Sequence, residues 1–259
     1  MLKTSLHVHV QGDHDDYITY TPFQLLDHAA KLGYEVIAFT AHERVVYTPK
    51  LAEYAEQKNI LLIPGIEVNL GGHVLILNAH REAQHLKTLD DLRAYRRDHP
   101  EAFTIAAHPF FPEHTRRRLC FREKIHDSMD CFDAIEHSWF YSSVINFNKK
   151  ARALAEKHQL PYIATADVHL LDMLKNGHVI VQAEKNIESV LEALREQRFT
   201  SIAAPQSLLG MGWTFGRMML EGFKQFLPWY PPKIVFEHDP VPPTGQSQSQ
   251  KVPETDFIS

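Results

Sequence analysis

Short apolar runs alternate with segments of helical periodicity over the first two thirds of the chain. That alternation predicts strands joined by crossover helices in a parallel sheet or barrel. The runs fall at residues 6–10, 36–40, 60–67, 74–78, 103–107, 132–136, 162–166 and 179–181. Between them, residues 22–32 read as a helix with Thr21 as N-cap and Pro22 in the first helical position, carrying Leu25, Leu26, Ala29 and Ala30 on one face and stopped by Gly33. Residues 186–197 place Ile187, Val190, Leu191 and Leu194 at i, i+3, i+4 and i+7, a second apolar stripe. Leu51, Tyr54 and Ala55 repeat the pattern less completely.

The pattern changes at Pro205. Residues 208–227 read as an amphipathic stretch containing Gly and Met, followed by the Pro-rich PWYPPK. The expected organisation is a barrel domain over 1–205, a helical cap over 206–235 and a flexible tail over 236–259, which has almost nothing apolar to bury. The aromatic residues Trp213, Phe215, Phe223 and Phe226 are expected to pack across the bottom of the barrel.

Composition adds four constraints. With 259 residues, 44% of them hydrophobic and 23% charged, the chain has material for one large α/β domain with a substantial core. A net charge of −5 argues against holding nucleic acid by bulk charge. Cys120 and Cys131 are too few for a disulfide framework and suit a reducing compartment, so the expected location is cytoplasmic, with no export signal or membrane span in view. The unusual number is 17 histidines.

Several of those histidines stand where strands end. His7 and His9 are two apart, so both side chains leave the same face of an extended segment. His42 follows VIAFTA, Glu67 ends LLIPGIE, His108 follows TIAA, and Asp167 with His169 ends YIATADVH. The C-terminal strand ends of a parallel barrel meet at one mouth, where barrel enzymes assemble their sites. His73 precedes its strand, but NLGG reads as a tight turn that returns it to the level of Glu67. Imidazoles and carboxylates without thiolate suit zinc, manganese or iron in a catalytic site with open positions.

The succession HVH at 7–9, TAHE at 40–43, PGIE at 64–67, GGH at 71–73, AHP at 107–109 and ADVH at 166–169 resembles, in order, the motifs of the PHP (polymerase and histidinol phosphatase) family. The resemblance covers about residues 5–205. It implies a distorted (β/α)7 TIM-like barrel, two or three divalent metal ions (Zn, Mn or Fe), and hydrolysis of a phosphate ester by a metal-activated bridging hydroxide. By motif, His7, His9, Glu67 and Asp167 resemble the ligands of one ion. Glu67 would bridge to a second held by His73 and His108, and His42 and His169 would hold a third. The remaining ligand belongs to the loop Asp13-His14-Asp15-Asp16, with Asp16 favoured over Asp13 and His14. Glu136, His137 and Asn148 fall where the family also has polar residues, as supporting or substrate contacts. Arg116, Arg117 and Arg118 follow the AHP strand and are candidates for the substrate phosphate.

The implied partner is a small phosphorylated metabolite or nucleotide, with an oligonucleotide less favoured on charge. An amidohydrolase-type barrel also begins with HxH, but commonly uses a bridging lysine at a central strand end, where this chain has Glu67 followed by His73. A non-catalytic metal-binding module should have lost several of these ligands. The surface or core reading suffices for His28, His80, His85, His99, His126, His158, His178 and His238, and a small buried thiol suffices for both cysteines.

Overall fold

The computed structural model describes residues 1–111 and 119–227. Its strands are β1 (Leu2–Ser5), β2 (Val36–Phe39), β3 (Leu61–Asn69), β4 (His73–Leu77), β5 (Phe103–Ala106), β6 (Ala134–His137), β7 (Tyr162–Ala164), β8 (Gly177–Val181) and β9 (Phe199–Ala203). Its α-helices are α1 (Pro22–Lys31), α2 (Pro49–Gln57), α3 (Leu89–Asp98), α4 (Asn148–His158), α5 (Ile187–Arg195) and α6 (Leu208–Phe223). The strands form one nine-stranded sheet in the order β7-β6-β5-β4-β3-β2-β1-β8-β9. β4 runs against β3 and β5, and β8 against β1 and β9, so two of the nine strands are reversed and the other seven share one direction.

The two ends of the sheet meet through a side chain. Ser201 of β9 donates its hydroxyl to the Tyr162 carbonyl at 2.9 Å and accepts from the Ala164 amide at 3.0 Å. One hydroxyl thus substitutes for the missing ladder, and the sheet curls into a nearly closed, distorted barrel. Along β2, Val36 and Ala38 face the barrel interior while Ile37 and Phe39 face the helices, the period of two expected of a strand buried on both sides. Leu25, Leu26 and Ala29 of α1 and Leu51 and Ala55 of α2 cover Ile37 and Phe39. Leu92 and Tyr95 of α3 and Ala151 and Leu154 of α4 cover Ile66, Ile76 and Ile135. The Thr21 cap forms as the sequence suggests, closed by Gln24 into a reciprocal capping box.

The interior cluster includes Val190, Leu191 and Leu194 of α5. Arg195 donates to the Ala102 carbonyl (2.8 Å), Gln197 to the Gln159 carbonyl (3.2 Å) and Lys185 to the Asn59 side chain (2.6 Å), each acceptor lying just before a strand begins. The stripe of α5 therefore seals the bottom of the barrel. This corrects the expectation that the aromatic 208–227 stretch does so. β9 runs toward the C-terminal ends of the barrel strands, so the chain leaves it at the mouth, and α6 is held there by an Arg217–Asp172 ion pair of 2.6 Å and a Gln206 amide to Tyr141 carbonyl hydrogen bond of 2.8 Å.

Strand boundaries shift most at the first strand. Pairing covers Leu2–Ser5 rather than 6–10, and α3, α4 and β9 are elements the sequence pattern did not single out. His7 to His9 continue past the ladder, anchored by the Val8–Val168 bridge, by the Thr40 hydroxyl accepting from the Val8 amide (2.9 Å), and by the Tyr20 hydroxyl donating to the His9 carbonyl (2.8 Å). A rim segment thus replaces strand pairing with side-chain hydrogen bonds. Gly65 of the PGIE motif has a packing reason as well: a Cβ there would lie 2.8 Å from the Phe39 carbonyl oxygen and 2.9 Å from the Thr40 methyl.

Candidate metal centre

Glu67 near the end of β3 is buried at the centre of five imidazoles. Its Oε1 lies 2.7 Å from His73 Nδ1 and 3.2 Å from His108 Nε2. Its Oε2 lies 3.2, 3.3 and 3.1 Å from Nε2 of His7, His9 and His42. The antiparallel β3–β4 hairpin pairs Asn69 with His73, which places His73 beside a residue six positions earlier. From the far side of the barrel, Asp167 Oδ1 comes within 3.2 Å of both His7 Nε2 and His9 Nε2. Asp16 Oδ2 meets His169 Nε2 at 2.9 Å and His42 Nδ1 at 3.7 Å. All nine residues singled out as ligand candidates therefore face one mouth.

The spacing of four donors tests whether a cation fits. His7 Nε2, His9 Nε2 and Glu67 Oε2 lie 3.1 to 3.3 Å from one another, and Asp167 Oδ1 lies 3.2 Å from both imidazole nitrogens. Three donors with edges of that length can all stand about 2.0 Å from one shared cation, the length of a zinc–nitrogen or zinc–oxygen bond. Buried His73 Nε2 has no hydrogen-bond partner among the described residues. Leaving such a group unsatisfied in a protein interior costs about 1–3 kcal/mol, and an ion offsets that cost. The residues present fit a divalent metal.

A second ring of residues orients these donors. Glu136 of β6 is fully buried; one oxygen accepts from His7 Nδ1 at 2.7 Å and from the Thr165 hydroxyl, and the other from the His108 amide. Binding Nδ1 leaves Nε2 of His7 aimed at the centre. Asp13 does the same for two rings at once. Its Oδ2 lies 2.8 Å from His9 Nδ1 and 3.1 Å from His42 Nδ1, and it accepts the His42 amide at 2.8 Å. Its other oxygen accepts the amides of Asp15 and Asp16, which shapes the loop that presents Asp16. His108 and Asp167 hold φ of 27° and 47°, a left-handed conformation that costs a non-glycine residue about 1 kcal/mol or more and here aims both side chains inward.

Burial alone would keep these imidazoles neutral. Against it, the carboxylates of Asp167, Glu67 and Glu136 push the His7 pKa up to about 9. Glu67 and Asp167 are held well below the usual carboxylate range by the surrounding histidines in spite of burial. His73 moves the other way, lowered chiefly by burial. Sign follows for metal loading. A ring raised to about 9 carries its proton through neutral pH, so an incoming ion must displace it, and affinity should rise about tenfold per pH unit for each proton displaced until pH reaches about 9. Competition titrations against a chelator at pH 6, 7 and 8 measure the slope; a flat profile would contradict this account.

The remaining candidates lie as follows. His14 is exposed and pairs with Asp15 at 2.8 Å, away from the donors. His137 does not enter the mouth; its ring stacks on Tyr162 with centroids 5.0 Å apart. Asn148 accepts from the Ser138 amide at 3.1 Å and donates to its carbonyl at 2.7 Å, fixing the start of α4 to the end of β6. Arg116, Arg117 and Arg118 lie outside the described residues. Cys120, expected to be an ordinary buried thiol, lies 3.7 Å from His108 Nδ1 at the edge of the site. Thr40, Tyr20 and Thr165 support the site without having been flagged; each is a buried hydroxyl beside a ligand-bearing segment, the one sequence cue they offer.

Comparison with known proteins adds three findings. Residues 146–199, which include Asp167 and His169, match the family model described as PHP-associated. No curated protein matches the chain in sequence. Among solved structures, the chain resembles a two-domain Bacteroides vulgatus protein described as containing a predicted PHP-like metal-dependent phosphoesterase, at a TM-score of 0.60 and 20% identity over 78% of this chain. It spans 64% of the length of that protein. PsfC from Pseudomonas syringae aligns at a TM-score of 0.61 and 15% identity, covering 85% of this chain and 98% of the other. The lesion-specific endonuclease EndoQ from Pyrococcus furiosus aligns at 0.50 and 15% identity, covering 75% and 56%. The fold is thus that of the PHP-like α/β barrels, with histidine and carboxylate groups able to bind metal at its mouth. The sequence match to the PHP-associated model is confined to residues 146–199, and the structural likeness extends over 78% of the chain.

Proposed function

We propose that this chain is a metal-dependent hydrolase of phosphate esters, with a small phosphorylated metabolite or nucleotide as its substrate. The observation that carries the reading is the convergence of His7, His9 and Glu67 donors 3.1 to 3.3 Å apart, with Asp167 3.2 Å from both histidines. In this reading those four hold one ion, Glu67 extends to a second with His73 and His108, and His42, His169 and Asp16 hold a third. Zinc, manganese and iron all suit such a nitrogen and oxygen shell. Bound there, divalent cations polarise phosphoryl oxygens and acidify the water that attacks phosphorus. The protein's own part is to fix the geometry. Glu136 and Asp13 hold the imidazole tautomers, and the strained His108 and Asp167 backbones keep both donors inward, so little reorganisation is left for the reaction itself.

Residues 1–205 form the catalytic body in this proposal and the described part of the 206–235 segment, up to residue 227, a cap beside its mouth; residues 228–235 and the 236–259 tail lie outside the described residues. No helix among the described residues is long and apolar enough to cross a membrane, and Cys120 and Cys131 are both free, which favours the reducing cytoplasm. The test is phosphate release from a panel of phosphomonoesters and short oligonucleotides by chelator-stripped protein, before and after adding manganese, zinc or iron. Metal-dependent release from small esters is expected. Release from oligonucleotides alone would assign a nuclease, and no release from any ester would end the proposal.

A further inference from the structure

We infer that the substrate carries its phosphate on an apolar alkyl or aryl group, and that this group lies in a groove between α6 and the loop at residues 16–18. The inference rests on the phosphate-ester reading above. Phe215, Met218, Met219, Gly222, Phe223 and Phe226 follow one another at helical spacings and form a single apolar stripe. Such a stripe ordinarily packs on a core. Here Met211 is the one buried residue of α6, and Phe215, Phe223 and Phe226 remain 47%, 58% and 74% exposed. The stripe instead lines a cavity of about 490 Å³ whose opposite wall is Tyr17 and Ile18 and which runs up to Asp16 and His169. That volume suits a small organic ligand.

Continuity with the metal centre selects the occupant. A group bound between α6 and Tyr17 stays within one molecule's length of the ion ligands, so a single substrate can reach both. The acidic residue on this wall, Glu221, is paired with Lys224 at 2.6 Å, and the wall offers mainly methyl, thioether and ring surface. An alkyl or aryl group gains from such a surface by leaving water. Gly222 is the open point of the stripe: a Cβ there would meet nothing within 4 Å.

Full-length, metal-loaded protein should be given n-propyl and n-hexyl phosphate, whose alcohols leave equally well. Each seated methylene should raise kcat/KM about twofold to fourfold, so hexyl phosphate should exceed propyl by about tenfold or more. Gly222→Leu fills the groove and replaces a poor helix former; it should erase most of that gain while leaving metal content unchanged. Calorimetric binding of hexylphosphonate and propylphosphonate reads the same preference without turnover. Equal values for the two chain lengths, or a hexyl preference that survives Gly222→Leu, would overturn the inference while phosphate release keeps the hydrolase reading. Tighter, Gly222-dependent hexylphosphonate binding without any phosphate release would keep the groove and remove the hydrolase. Retention of the protein on phospholipid vesicles with no chain-length effect would assign the stripe to a lipid surface instead.

Discussion

Glu67→Gln should lower metal-dependent phosphate release by about a thousandfold or more, equivalent to ~4 kcal/mol of lost transition-state stabilisation. The carboxylate faces His73 and His108 with one oxygen and His7, His9 and His42 with the other, so under the proposed assignment it serves two ions at once. An amide of the same size keeps one oxygen and turns an NH2 toward the opposite group, where it can neither coordinate nor balance the imidazoles. Bound metal should fall with activity, and far-ultraviolet circular dichroism should be unchanged because β3 and its hairpin do not depend on the charge. A variant within tenfold of wild type would show that the carboxylate is not central to the chemistry.

Asp13→Asn separates orientation from ligation. Asp13 fixes the Nδ1 side of His9 and His42 and receives three backbone amides, from His42, Asp15 and Asp16. An asparagine cannot present acceptors on both sides, so at least one of these contacts becomes donor against donor. The expected result is a loss of about 10–100-fold in metal affinity or activity, the usual effect of removing a group that orients metal ligands. The number of ions bound at saturating metal should not change. Asp16→Ala, by contrast, should lower that number by one. If Asp13→Asn lost an ion and Asp16→Ala did not, the loop ligand would be Asp13.

How far the sequence is legible here depends on how local each signal is. The strand-end positions of His42, Glu67, His108 and Asp167 follow from apolar runs that stop at a polar residue, and the NLGG turn before His73 follows from its glycines. Both are short-range signals, and the mouth they define is the one the structure assembles. The orienting role of Asp13 was not distinguishable from a ligand role, because both need a carboxylate in the same loop, and only the direction of the side chain separates them. Glu136 carried a weak signal for a similar reason. Its partners His7 and His108 lie 129 and 28 residues away, and no spacing rule connects them.

What the chain's own order of residues determines is the barrel class, the set of donors and the side of the sheet on which they gather, since each depends on periodicity within about ten residues. Tertiary structure decides the rest. Closure through Ser201, the α5 plug in the barrel bottom and the turn of α6 toward the mouth all depend on which ends of distant strands come together. The apolar stripe of α6 could be recognised in the letters, but the surface it meets could not: strand direction, settled only when the sheet curls, delivers it beside the candidate metal centre rather than beneath the core.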